Sequence, residues 1–111
     1  MRARWTLGLP IALLLLGAGP HSPDPPGTEV MAPFTHGRFD PETVRVARGG
    51  RVTFHNLNAG DHTHTVVADD RSFESPPLGP NGEWTHRFPE KGEHGYHLRE
   101  HPETRGRALV R

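Results

Sequence analysis

The sequence predicts an all-β domain, a sandwich or barrel of short strands, on three observations. Apolar and polar residues alternate over short runs. Gly, Pro, Asn and Asp separate those runs. After the N-terminal segment no stretch keeps a 3.6-residue apolar period.

The chain has 111 residues, and its first part stands outside that pattern. Two arginines, Arg2 and Arg4, precede an almost wholly apolar run from Leu7 to Ala18. A basic start followed by roughly ten apolar residues has the form of a secretory signal. The run is shorter than the about 20 residues of a membrane-spanning helix, and Pro10 interrupts it. Residues 1–19 are therefore expected to be a signal peptide or N-terminal anchor, which makes the protein exported: periplasmic or extracellular, tethered to a membrane only if the segment stays uncleaved. Gly17 and Gly19 are small enough for a signal peptidase, although Pro20 follows. Gly19 stands where a lipoprotein would carry its cysteine. The run from Pro20 to Gly27, rich in proline, reads as a linker, leaving residues 28–111 for the folded domain. A domain of that size buries only about 60–65% of its unfolded surface.

Within the domain, Glu29–Phe34 is expected to supply a first strand. Val44 and Val46 alternate with Thr43 and Arg45, and Gly49-Gly50 turns the chain. Val52 and Phe54 alternate with Arg51, Thr53 and His55. Asn56–Asp61 is turn-rich, and Thr63–Ala68 is β-branched and apolar. The Pro76–Gly82 stretch is a loop. Trp84 and Phe88 share a face, as do His94, Tyr96 and Leu98 beyond the Lys91-Gly92 turn, and Ala108 and Val110 near the end. The predicted core is thin: Val44, Val46, Val52, Phe54, Val66, Trp84, Phe88, Tyr96 and Val110.

Formal net charge is zero with histidine neutral, and no basic patch points to nucleic acid. The chain has nine histidines and no cysteine, so neither disulfide nor thiolate is available. Histidines concentrate at His62 and His64, at His94 and His97, and at His101 before Pro102. Neutral imidazole is the commonest metal ligand near neutral pH and suits Cu(II), Zn(II) and Ni(II). No Ser–His–Asp arrangement, phosphate loop or framed carboxylate pair is visible, so no enzymatic role is expected.

The order of short segments resembles the cupredoxin family, in particular its plastocyanin- and amicyanin-like members. The matching stretches are Phe39–Val44, Gly50–Asn56, His64–Val66, Phe73–Ser75 and Gly92–Gly106, which together run through the domain. The resemblance implies a Greek-key β-sandwich with copper at one end. It implies His64 as the first histidine ligand and His101 as the second. Asn56 matches the asparagine that ties the ligand loops together. The family's cysteine position holds Leu98 and its methionine position holds Thr104, so both sulfur ligands are missing.

Leucine coordinates nothing, and a blue copper centre depends on its copper–thiolate bond. The expectation is therefore a degenerate site: His64 and His101 joined by His62, which has the right parity if its strand extends back that far. Glu100, Glu103 or water would complete the shell. Copper, as Cu(II), is the expected ion by the usual affinity order, with zinc as competitor. The role that follows is sequestration or delivery of the ion, with another exported copper protein as the partner class. The alternatives are an electron-transfer protein of the blue copper family and a metal-free structural or interaction module. Of the other histidines, His97 should face away from Leu98, and His94 should be a core residue bonded to a neighbour. His86 should be partly buried and hydrogen-bonded, His55 solvated, and His36 in a loop.

Overall fold

A computed structural model describes residues 27–35, 37–60 and 62–111. The expected signal or anchor at 1–19, nearly all of the linker, and His36 and Asp61 lie outside the described residues. Among the described residues no helix is long and apolar enough to cross a membrane.

The described chain forms eight strands: β1 (Glu29–Thr35), β2 (Arg38–Phe39), β3 (Thr43–Val46), β4 (Gly50–Asn56), β5 (Val66–Ala68), β6 (Glu83–Phe88), β7 (Gly92–Leu98) and β8 (Arg105–Val110). They build two four-stranded sheets, β2-β1-β4-β6 and β3-β8-β7-β5. From β2 to β7 each connection passes from one sheet to the other, so the chain closes a Greek-key sandwich and not an up-and-down barrel. Both sheets are mixed: β1 runs parallel to β4, with Val30 opposite Val52, and β3 runs parallel to β8, with Val44 opposite Ala108.

Alternation sets which face each strand buries. On β4, Val52, Phe54 and Asn56 point inward, and on β7 Tyr96 and Leu98 do. Phe39, Phe54 and Tyr96 pack edge to face at the centre, with Tyr96 ring centroids 5.0 Å from Phe39 and 4.9 Å from Phe54. Opposite Tyr96, β8 carries Gly106. A Cβ there would sit 2.6 Å from Tyr96 Cε1 and 3.1 Å from the Glu42 carbonyl oxygen, so the glycine makes room for the ring.

Eight of the nine predicted core residues are buried. Trp84 is the exception: it is only partly buried, because β6 is an edge strand and the indole covers Phe54 from the side. The core also includes Phe34, Phe39, Phe73 and Leu78, which lie in short segments with too little alternation to declare a face. The expected strand over Thr63–Ala68 begins only at Val66. Before it, His64 makes an isolated bridge to Leu78.

Candidate metal centre

Asn56, fully buried at the end of β4, organises one end of the sandwich. Its Nδ2 donates to the carbonyl oxygens of His62 (2.9 Å) and Leu78 (2.8 Å). Its Oδ1 accepts from the backbone N–H (2.9 Å) and side-chain amide (2.8 Å) of Asn58. His64 in turn exchanges both backbone hydrogen bonds with Leu78, at 3.0 and 2.8 Å. One buried amide thus fixes the loop that carries His62 and His64 against the loop that carries Leu78.

The second histidine loop is tied to the first by its backbone. The Arg99 N–H donates to the Thr65 carbonyl at 2.8 Å, and the Thr65 N–H donates to Glu100 Oε1 at 2.9 Å. Between β7 and β8 the chain folds on itself: His101 N–H donates to the Leu98 carbonyl, Thr104 N–H to that of His101, and Leu98 N–H to that of Thr104, at 3.1, 2.8 and 3.1 Å. This compact turn brings the His101 ring to 5.5 Å from the His64 ring, centroid to centroid.

His64 is 4% exposed, and neither of its ring nitrogens has a hydrogen-bond partner. A buried polar atom left unpaired costs about 1–3 kcal/mol. The Glu100 carboxylate comes to 3.6 Å from Nδ1, too far for a hydrogen bond. Burial pushes the His64 imidazole below its usual range; the Glu100 charge opposes that shift, and His101 adds to it. The shift favours the neutral form, which is the form that coordinates a metal.

His62 sits in the loop and not on an extended β5, and it is exposed. Its ring lies parallel to that of His64 (7°) with centroids 6.4 Å apart. Leu98 and Thr104, at the two positions where the resemblance places sulfur, are each 1% exposed, and Thr104 Oγ1 has no partner. Among the described residues no three His, Cys, Asp or Glu side chains stand ready-placed around one point. His64 and His101 are brought together, His62 stands beside them, and a closed three-ligand shell is not preformed.

The remaining histidines separate from this end. His97 faces outward, as expected, and its Nδ1 is hydrogen-bonded to Asp69 Oδ1 at 2.6 Å. Asp69 also accepts from Arg105 Nη2 at 3.0 Å, and the missing side chain of Gly95 leaves the space its carboxylate fills. Nothing in the sequence announced this network, because its members come from three separate segments. His94 is bonded to a neighbour, the Glu90 carbonyl, at 2.8 Å, but it is half-buried beside Phe88 and not in the core. His86 is half-buried as expected, but its contacts are aromatic: Phe73 at 4.2 Å, Phe88 at 4.9 Å and Trp84 at 5.4 Å. His55 is half-buried and so only partly solvated, with Nε2 3.8 Å from Glu83 Oε2.

No protein-family model matches the chain, and neither does any curated protein. Solved structures do. A purple cupredoxin from Nitrosopumilus maritimus superposes with a TM-score of 0.62 at 26% identity, over 66% of this chain and 81% of that one. An oxidised methionine-to-lysine variant of amicyanin gives 0.64 at 24% identity, over 74% and 81%. A proline-to-glycine variant of amicyanin, in its reduced Cu(I) form at pH 4, gives 0.63 at 23% identity, also over 74% and 81%.

Proposed function

We propose that this chain, a cupredoxin by fold that lacks the cysteine ligand, binds a divalent metal ion, copper before zinc, through His64 and His101. The observation that carries the reading is His64: a buried imidazole whose two ring nitrogens have no hydrogen-bond partner, facing a second histidine. Such a residue is costly in a metal-free protein and is relieved by coordination. His62, parallel to His64 and exposed, is near enough to join when its loop moves. Nitrogen and oxygen donors without thiolate favour Cu(II), then Zn(II), over Cu(I). With Leu98 at the cysteine position there is no copper–thiolate bond, so ordinary blue-copper electron transfer is not the role we assign. Sequestering the ion, or delivering it to another exported copper protein, is. The N-terminal segment at 1–19 supports export, and we assign no enzymatic activity.

A metal-free interaction module is the competing reading. The close packing of Leu98, and the lack of three convergent donors among the described residues, favour it.

Titration of the full chain with Cu(II) against a competing chelator separates the readings. One equivalent should bind, and His64→Ala and His101→Ala should each weaken it by more than the about 10–100-fold that loss of an outer-sphere partner costs. No binding by the wild type leaves only the module. A reversible copper couple with fast electron exchange would restore electron transfer.

A further inference from the structure

The metal site so proposed lacks an anionic ligand, and one carboxylate, on a side chain 38% exposed, stands at its edge. Glu100 Oε1 lies 3.6 Å from His64 Nδ1. That separation is too long for a hydrogen bond, whose N···O distance ends near about 3.2 Å. It is close to the spacing of two donors on one ion: ligands at about 2.0–2.2 Å, at angles between tetrahedral and trigonal, stand about 3.3–3.6 Å apart. The carboxylate is also held in place. Its Oε1 accepts the Thr65 N–H, and the residue before it, Arg99, bonds the Thr65 carbonyl. Glu100 is therefore fixed to the residue next to His64 by backbone groups of both loops. A backbone N–H on a ligating oxygen is the kind of outer contact that orients metal ligands.

We propose that Glu100 supplies the third ligand, a carboxylate oxygen in place of the absent thiolate, and that it makes the site selective for divalent ions against Cu(I). The proposal rests on the reading that His64 and His101 bind the ion. No three donors stand ready-placed among the described residues, so the set closes when His101, its side chain 39% exposed and its ring centroid 5.5 Å from that of His64, turns in on metal binding. Glu103 is the rival carboxylate. It lies 3.3 Å from His101 Nδ1, and its side chain is 73% exposed. A hard carboxylate strengthens binding of Cu(II) and Zn(II), whereas Cu(I) prefers soft sulfur donors, so the preference between oxidation states should depend on Glu100.

The test uses the full chain and the variants Glu100→Gln, Glu103→Gln and His64→Ala. Gln at position 100 keeps an acceptor for the Thr65 N–H, and thermal melts of the metal-free proteins verify folding. Cu(II) and Cu(I) affinities are measured by chelator competition, the latter in deoxygenated buffer. Glu100→Gln should lose about 10–100-fold in Cu(II) affinity, change Cu(I) affinity by less than about threefold, and alter the Cu(II) electron paramagnetic resonance spectrum. Glu103→Gln should leave that spectrum unchanged. Wild-type Cu(II) affinity and an unaltered spectrum in a folded Glu100→Gln protein, with binding still lost in His64→Ala, would overturn the Glu100 assignment and leave the parent reading standing. Failure of the wild type to bind Cu(II) would overturn both.

Discussion

Leu98 decides more about this protein than any other single residue. It lies on the buried face of β7 with Tyr96, one turn before His101, at 1% exposure. An apolar side chain there closes the end of the core, at the position where the resemblance places a cysteine. Leu98→Cys should therefore restore what is missing: loaded with Cu(II), the variant should gain an intense visible thiolate-to-copper band that the wild type lacks. The smaller side chain should cost about 1–3 kcal/mol of stability. A copper-loaded Leu98→Cys protein that stays colourless with a titratable free thiol would show that His64 and His101 do not face this position. That His64, His101, Leu98 and Thr104 meet at one end of the fold was legible in the sequence because the short motifs keep their order along the chain. The Glu100–Thr65 bond was not, because it depends on where a side chain from one loop meets the backbone of another.

At the scale of elements, alternation on β4, β7 and β8 was readable from Val52, Phe54, Tyr96, Ala108 and Val110, and each of these is buried. Phe34 and Phe39 escaped because Val30–Phe34 is apolar at every position and so declares no face, and β2 has two residues. Phe73 and Leu78 lie on no named strand, so no periodicity marks them. The start of β5 was misplaced because His64 pairs only with Leu78, in an isolated bridge within a loop that Asn56 ties down through the His62 and Leu78 carbonyls. The β7–β8 pairing depends on Gly106 beneath Tyr96. Gly106→Ala would push a methyl group against that ring and the Glu42 carbonyl, and overpacking of this kind costs about 1–3 kcal/mol. Urea unfolding should show a lower midpoint at unchanged slope. A midpoint equal to wild type would mean that the two sheets are less closely fitted here than the contacts indicate.

The whole molecule is a small sandwich whose stability should depend on its histidines. Burial, with the nearby charge of His94 as the smaller cause, holds the His86 imidazole below its usual range. Burial does the same for His64. Unfolded, each takes up a proton as pH falls through about 6.5. Folded, each does so only at lower pH. Between those two values the unfolded chain binds more protons, so stability rises with pH and is lost on acidification from 7.5 to 5. His86→Phe should flatten this slope in urea midpoints taken at the two pH values; an unchanged slope would place the titration elsewhere. The fold and the histidine pair support the central proposal, that this domain holds a divalent metal ion without sulfur. Electron paramagnetic resonance of the Cu(II)-loaded full chain, read beside its visible spectrum, tests it most directly. One bound copper with a wide parallel hyperfine splitting, nitrogen coupling and no intense thiolate band is the result expected. A spectrum of aqueous, unbound Cu(II), or a narrow splitting with an intense visible band, would contradict it.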